Sequence, residues 1–166
     1  MSSNIKLIIF IVILLIISAA IIFIDSSINN VNQSMPEIND CIIQADKDYN
    51  ESVELLNSKN YDEAYQKAIS AEDNYNKSIS KLSEIRSVYN KDLNNIHKKY
   101  IDTTIKELKY KLDAIDELNE SIYYLRVYNN YTGSTHGTKA NDLMKNATGY
   151  QNERNNIVLE NPKLFA

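Results

Sequence analysis

Apolar residues in this chain fall into one unbroken run followed by several striped segments. The run, Leu7 to Ile24, carries no charge and one polar side chain, Ser18. Beyond it, apolar positions recur at steps of three and four, the signature of amphipathic helix. Ile38, Ile42, Ala45, Tyr49, Val53 and Leu56 form the first stripe. "SMPE", residues 34–37, predicts its start: a capping box in which Ser34 and Glu37 exchange bonds and Pro36 fits the first turn. "NSKN", residues 57–60, interrupts the pattern. A second stripe follows in Ala64, Ala68, Ala71, Tyr75, Ile79, Leu82, Ile85 and Tyr89. Residues 90–104 are rich in poor helix formers, which predicts a turn near Asn90–Asn95. Ile101, Ile105, Leu108, Leu112, Ile115, Leu118, Ile122 and Leu125 make the longest stripe. "NNYTGSTHGTK", residues 129–139, reads as a loop with two glycines. A last helix carries Ala140, Leu143, Met144, Ala147, Tyr150, Ile157 and Val158, and Pro162 ends it.

These elements predict an all-α protein: an N-terminal transmembrane helix followed by a bundle or stack of about four antiparallel helices. The boundaries expected are an anchor at 1–25, a polar Asn-rich spacer at 26–33 and a helical domain at 34–166. A second arrangement fits the same pattern, with one continuous helix across 61–130 forming an extended coiled coil.

The apolar run fixes the expected location. Eighteen residues of helix span about 27 Å, close to the hydrocarbon thickness of a bilayer. A secretory signal has an apolar region of only about 7–15 residues and a small-residue cleavage site after it. Here Ser18-Ala19-Ala20 lies inside the run, and four bulky residues follow. Residues 7–24 are therefore expected to remain in the lipid bilayer. Lys6 and the amino terminus precede the run, and no Lys or Arg follows until Lys47. The positive-inside rule then predicts a cytoplasmic N-terminus and a C-terminal domain outside the cell membrane, in a single pass.

Charge narrows the partners. From Asp25 onward the chain holds 17 basic and 22 acidic residues. A mildly acidic domain lacks the basic patch that nucleic acid requires, so no nucleic-acid partner is expected. One cysteine, Cys41, allows no internal disulfide. It reads as a buried small apolar residue, or alternatively as the link in an intermolecular disulfide.

The segment "LLNSKNYDEAYQKAISA", residues 55–71, resembles the turn and second helix of a tetratricopeptide repeat, with Tyr61, Glu63, Ala64 and Ala71 at the matching positions. Ala68 stands where that family prefers a large aromatic, and no second match occurs at a 34-residue period. The resemblance covers about a tenth of the chain and implies a close helical hairpin over residues 37–90.

Candidate chemistry is sparse. His97 and His136 lie far apart in sequence and form no HExxH-type pattern, so no metal site is expected. Asp113, Asp116, Glu117 and Glu120 lie opposite the apolar stripe of their helix and read as a solvated face. "GSTHG" lacks the lysine and hydroxyl ending of a phosphate loop. No catalytic residue or cofactor is expected. Tyr123, Tyr124, Tyr128 and Tyr131 are the candidate partner-binding residues. Tyr124, Tyr128 and Tyr131 share helical spacing, and tyrosine offers both an apolar ring and a hydroxyl to a protein or a glycan. They read either as such a surface or as rings buried at the end of the bundle. Asn-x-Ser/Thr occurs six times, with Asn32 and Asn130 the best-placed glycosylation candidates. The sequence thus predicts a membrane-anchored binding or assembly module. The competing class is a homo-oligomer, a self-associating coiled-coil stalk or envelope spacer.

Overall fold

The computed structural model describes residues 29–165, which form four long helices and no strand. They are α1 (Asn29–Asn57), α2 (Tyr61–Val88), α3 (Asn95–Arg126) and α4 (Asn130–Glu160), with a short 3-10 turn, Pro162–Leu164, at the end. The proposed anchor, residues 7–24, lies outside the described residues. Among the described residues no helix is long and apolar enough to cross a membrane.

Successive helices run antiparallel and pack in order, α1 on α2, α2 on α3, and α3 on α4. The buried positions step by four and three in each. In α2 they are Ala64, Ala68, Ala71, Tyr75, Ser78, Leu82 and Ile85. In α3 they include Ile101, Thr104, Leu108, Lys111, Ile115, Leu118, Ile122 and Leu125. This is the repeat expected of helices packed at shallow angles. Every apolar residue expected in the α1 stripe is buried. In α3 the expected face is rotated slightly: Ile105 and Leu112 are only partly buried, and Thr104 and Lys111 occupy the core positions instead.

Four boundary expectations are corrected. Helix α1 already includes Asn29 to Gln33, so the 26–33 segment is not all spacer and Ser34 is not a cap. Pro36 sits inside the helix, and Glu37 pairs across to Lys77 at 3.0 Å and to Lys81 of α2. A continuous helix over 61–130 does not form. Helix α2 stops at Val88, and the Asn94 side chain caps α3 by accepting from the His97 amide at 2.8 Å. The expected loop at 129–139 is helical from Asn130. Its glycines serve helix contact. Gly133 and Gly137 are both buried, and a Cβ on Gly133 would stand 2.6 Å from Leu125 Cγ of α3.

The two hairpins repeat one design. After α1, Lys59 adopts φ 62; after α3, Tyr128 adopts φ 61. In the first turn the Lys59 amide donates to Leu56 O and the Asn60 amide to Leu55 O. In the second the Tyr128 amide donates to Leu125 O and the Asn129 amide to Tyr124 O. Each is a Schellman turn with a left-handed residue closing the helix. Past the turn, Ser52 Oγ donates to Ala64 O at 2.7 Å and Ser121 Oγ to Gly133 O at 2.8 Å. Asp48 pairs with Lys67 at 2.9 Å, and Glu117 with His136 at 2.6 Å. Every correspondence has the same offset of 69 residues (59 to 128), and "NESV" at 50–53 recurs as "NESI" at 119–122. Small residues line both contacts: Ala64, Ala68 and Ala71 in α2, Gly133, Gly137 and Ala140 in α4.

Candidate functional site

This topology sets two poles. The base holds the start of α1, the α2–α3 link and the C-terminal turn, where Phe165 packs on His97 and Tyr100 of α3. The tip holds both hairpin turns, tied together by Arg126 of α3 and Asp62 of α2 at 2.8 Å. Helices of 28 to 32 residues separate the poles by roughly 40–50 Å.

Three of the four predicted tyrosines lie exposed at the tip. Tyr128 is 91 % exposed, Tyr131 85 % and Tyr123 58 %. Tyr124, Tyr128 and Tyr131 do not share one helix face as their spacing suggested. Tyr123 lies in the last turn of α3, Tyr128 is the left-handed residue of the connection, and Tyr131 lies in the first turn of α4. Tyr124 is half-buried, with its ring stacked on His136 at 5.4 Å and 9°. His136 in turn meets Glu117, which Lys139 also approaches at 3.7 Å. The α3–α4 contact thus holds Tyr124 and leaves the other three rings at the surface. Val127 is also exposed, as is Tyr65 of α2 at 44 %.

Between α2 and α3, beside this patch, lies a cleft of about 300 Å³ lined by Tyr65, Asn119, Glu120, Ile122, Tyr123 and Arg126. Ile122 is buried, and the side-chain amide oxygen of Asn119 is buried without a hydrogen-bond partner.

The other candidates are dispersed. Asn130, exposed, is the first residue of α4, and Asn32 lies within α1. His97 is buried at the base with Nε2 3.0 Å from Leu164 O. Cys41 is a buried free thiol. Among the described residues, no group of three or more His, Cys, Asp and Glu side chains is placed to hold a metal.

A feature missed from sequence lies at mid-height. Lys111, its side chain 1 % exposed, sits 2.7 Å from Asp46 of α1 and 3.0 Å from Glu107 of its own helix. Arg154 of α4 approaches the other oxygen of Glu107 at 3.4 Å. Tyr75 of α2 donates its hydroxyl to Asp46. Two anions and two cations from three helices, with a tyrosine from the fourth, form one buried chain. Glu107 lies at ion-pair distance from both cations, but its oxygens are not aligned for hydrogen bonds. Burial would pull the Lys111 ammonium pKa down. The adjacent Asp46 and Glu107 outweigh that and hold it above the ordinary lysine value. One signal was available: Lys111 falls three residues after Leu108 and four before Ile115, on a core position of the stripe.

No protein-family model matches this chain, and neither a curated protein nor a solved structure does. The two hairpins supply a comparison of their own. With the backbone offset of 69, Tyr123 corresponds to Glu54, Val127 to Ser58, Tyr128 to Lys59 and Tyr131 to Asp62. The same turn is built in the first hairpin from charged and polar residues.

Proposed function

We propose that this protein is a membrane-anchored helical module, held by residues 7–24 and displayed outside the cell membrane, that binds a partner through the tip of its second hairpin. The observation that carries this reading is the difference between two like turns. The first hairpin folds with Glu54, Ser58, Lys59 and Asp62 where the second exposes Tyr123, Val127, Tyr128 and Tyr131. The fold does not require the aromatic set. Exposed aromatic clusters are what protein and glycan interfaces use. The tip is also the pole away from Asn29, the first described residue of α1, where a protein anchored through its N-terminal residues would meet its surroundings. The tetratricopeptide-like segment at 55–71 is, in this reading, the turn of one hairpin in a two-hairpin unit and not part of a repeat array. A self-associating stalk is less well supported, because a stalk needs apolar stripes left over for a second copy. Here the stripes of all four helices are occupied within one chain.

Two measurements test the reading. Protease added to intact spheroplasts is expected to digest residues 26–166; protection would reverse the orientation. A tagged chain captured with its partners from solubilised membranes is expected to lose them on the triple change Tyr123→Ser, Tyr128→Ser and Tyr131→Ser. It should keep them when Glu54 and Lys59 of the first hairpin are changed to Ser. Equal loss from both sets would remove the tip from the function.

A further inference from the structure

We propose that the cleft between α2 and α3 at the tip is a subsite for one neutral sugar ring. The inference rests on the tip being a binding surface and names what its cleft takes. Tyr65 from α2 and Tyr123 from α3 are both exposed and line the cleft from its two helices. A pair of aromatic faces on two sides suits a ring whose own faces are C–H rich. Buried Ile122 supplies an apolar floor. Around it stand Asn119, Glu120 and Arg126, an amide, a carboxylate and a guanidinium. These are planar groups that engage neighbouring hydroxyls in pairs.

Two observations select this class of ligand. The first is the unused capacity of Asn119. Its side-chain amide oxygen Oδ1 is buried and makes no hydrogen bond, a state that buried polar atoms rarely keep. Its amide torsion is soft, so a small rotation turns the oxygen to a hydroxyl in the cleft. The second is charge and size. Arg126 is already paired with Asp62, which leaves the Glu120 carboxylate as the unbalanced charge beside the cleft, so the site disfavours an anionic ligand. Its volume of about 300 Å³ lies at the small end of ligand sites. A bound helical peptide needs anchors over several turns, and an added strand needs a free sheet edge. The described residues contain no strand.

The test uses the full chain in a detergent without a sugar headgroup. Saturation-transfer NMR is recorded with the methyl glycosides of neutral hexoses and N-acetylhexosamines, with a methyl uronide and an acidic peptide as comparisons. Transfer to the ring protons of at least one neutral glycoside is expected. Its affinity should fall about ten-fold in Tyr65→Ala and in Tyr123→Ala, and several-fold in Asn119→Ala. Tyr128→Ala, outside the cleft, should leave it unchanged. All four changes except Asn119→Ala fall on exposed rings, so the tyrosine variants keep the fold. No transfer to any neutral glycoside, stronger transfer to the uronide or peptide, or transfer that survives both cleft variants would overturn the proposal. If sugars fail while partner capture still depends on Tyr123, Tyr128 and Tyr131, the cleft assignment falls and the tip reading stands. Loss of both would remove the tip altogether.

Discussion

Asp46 of α1 and Lys111 of α3 meet at 2.7 Å with both side chains almost wholly buried. The helices they belong to are in different hairpins, so this pair is a direct charged link between the two halves. Breaking a buried pair from one side leaves the other charge without compensation, at a cost of about 3–5 kcal/mol.

Lys111→Met is therefore expected to lower the unfolding free energy of residues 29–166 by about that amount in urea titrations. Adding Asp46→Asn removes one of the two orphaned anions and leaves Glu107 with Arg154. The double variant is expected to recover about 1 kcal/mol or more, a coupling typical of side chains in contact. Simple additivity would show that the pair does not couple the hairpins.

The glycines of α4 give opposed outcomes for one substitution. Alanine is the better helix former by about 1 kcal/mol. At Gly149 nothing lies within 4 Å of the added carbon, so Gly149→Ala should stabilise by about 0.5–1 kcal/mol. At Gly133 the carbon meets the Leu125 side chain at 2.6 Å and its backbone nitrogen at 3.2 Å. Overpacking of this kind costs about 1–3 kcal/mol, so Gly133→Ala should lower the melting temperature. A stabilised Gly133→Ala would mean that α3 and α4 are not in this contact.

Four buried groups point to alkaline unfolding. Burial raises the phenol pKa of Tyr49, of Tyr75 (aided by Asp46) and of Tyr100. The Lys111 pKa is raised by its carboxylates against the opposing effect of burial. Each group holds its proton to higher pH folded than unfolded. Their contribution is thus complete below the unfolded values of about 10–10.4 and declines as pH rises through the folded ones. The urea midpoint should fall above about pH 10, and the part of the tyrosinate absorbance that belongs to Tyr49, Tyr75 and Tyr100 should appear only as the chain unfolds. Tyr49→Phe should weaken this dependence. At neutral pH it should be neutral or stabilising by about 1 kcal/mol, because the Tyr49 hydroxyl is buried without a partner.

Tyr128 separates stability from function. A non-glycine residue in the left-handed region costs about 1–3 kcal/mol, and glycine is the preferred occupant of this helix-closing position. Tyr128→Gly and Lys59→Gly are each expected to stabilise by about 1 kcal/mol in thermal melts. Only Tyr128→Gly should weaken partner capture. Equal binding by both would remove Tyr128 from the interface.

The helices were legible in the sequence because three-four spacing of Ile, Leu and Ala is a direct record of burial. The α1 stripe and the α2 alanines needed nothing more. The errors came where one residue type serves two physical ends. Gly133 and Gly137 suggest a loop by composition, yet here they let two helices approach. Lys111 and Glu107 suggest a solvated pair on one helix, yet they complete a core layer whose other charges, Asp46 and Arg154, sit on α1 and α4, which no local window contains. Leu112, beside Lys111, drew the stripe one residue off its true line. The tip tyrosines were visible as a cluster, but their exposure depended on a turn at Tyr128 that helical spacing concealed. The hairpin repeat was missed because the period is 69 residues and few identities survive beyond "NES" and the turn asparagine.

Because every helix is paired with an antiparallel neighbour, the chain leaves and returns at one pole. The closing segment at Phe165, wedged against His97 and Tyr100, is a handle placed well away from the tip. A fluorophore or affinity label joined there reports on events at the base and leaves the tip unobstructed. An epitope inserted at Ser58–Asn60, in the polar turn, projects from the far pole beside the aromatic one. Two labels so placed form a ruler along the long axis, against which tilt or approach of a bound object is measured as a change in distance.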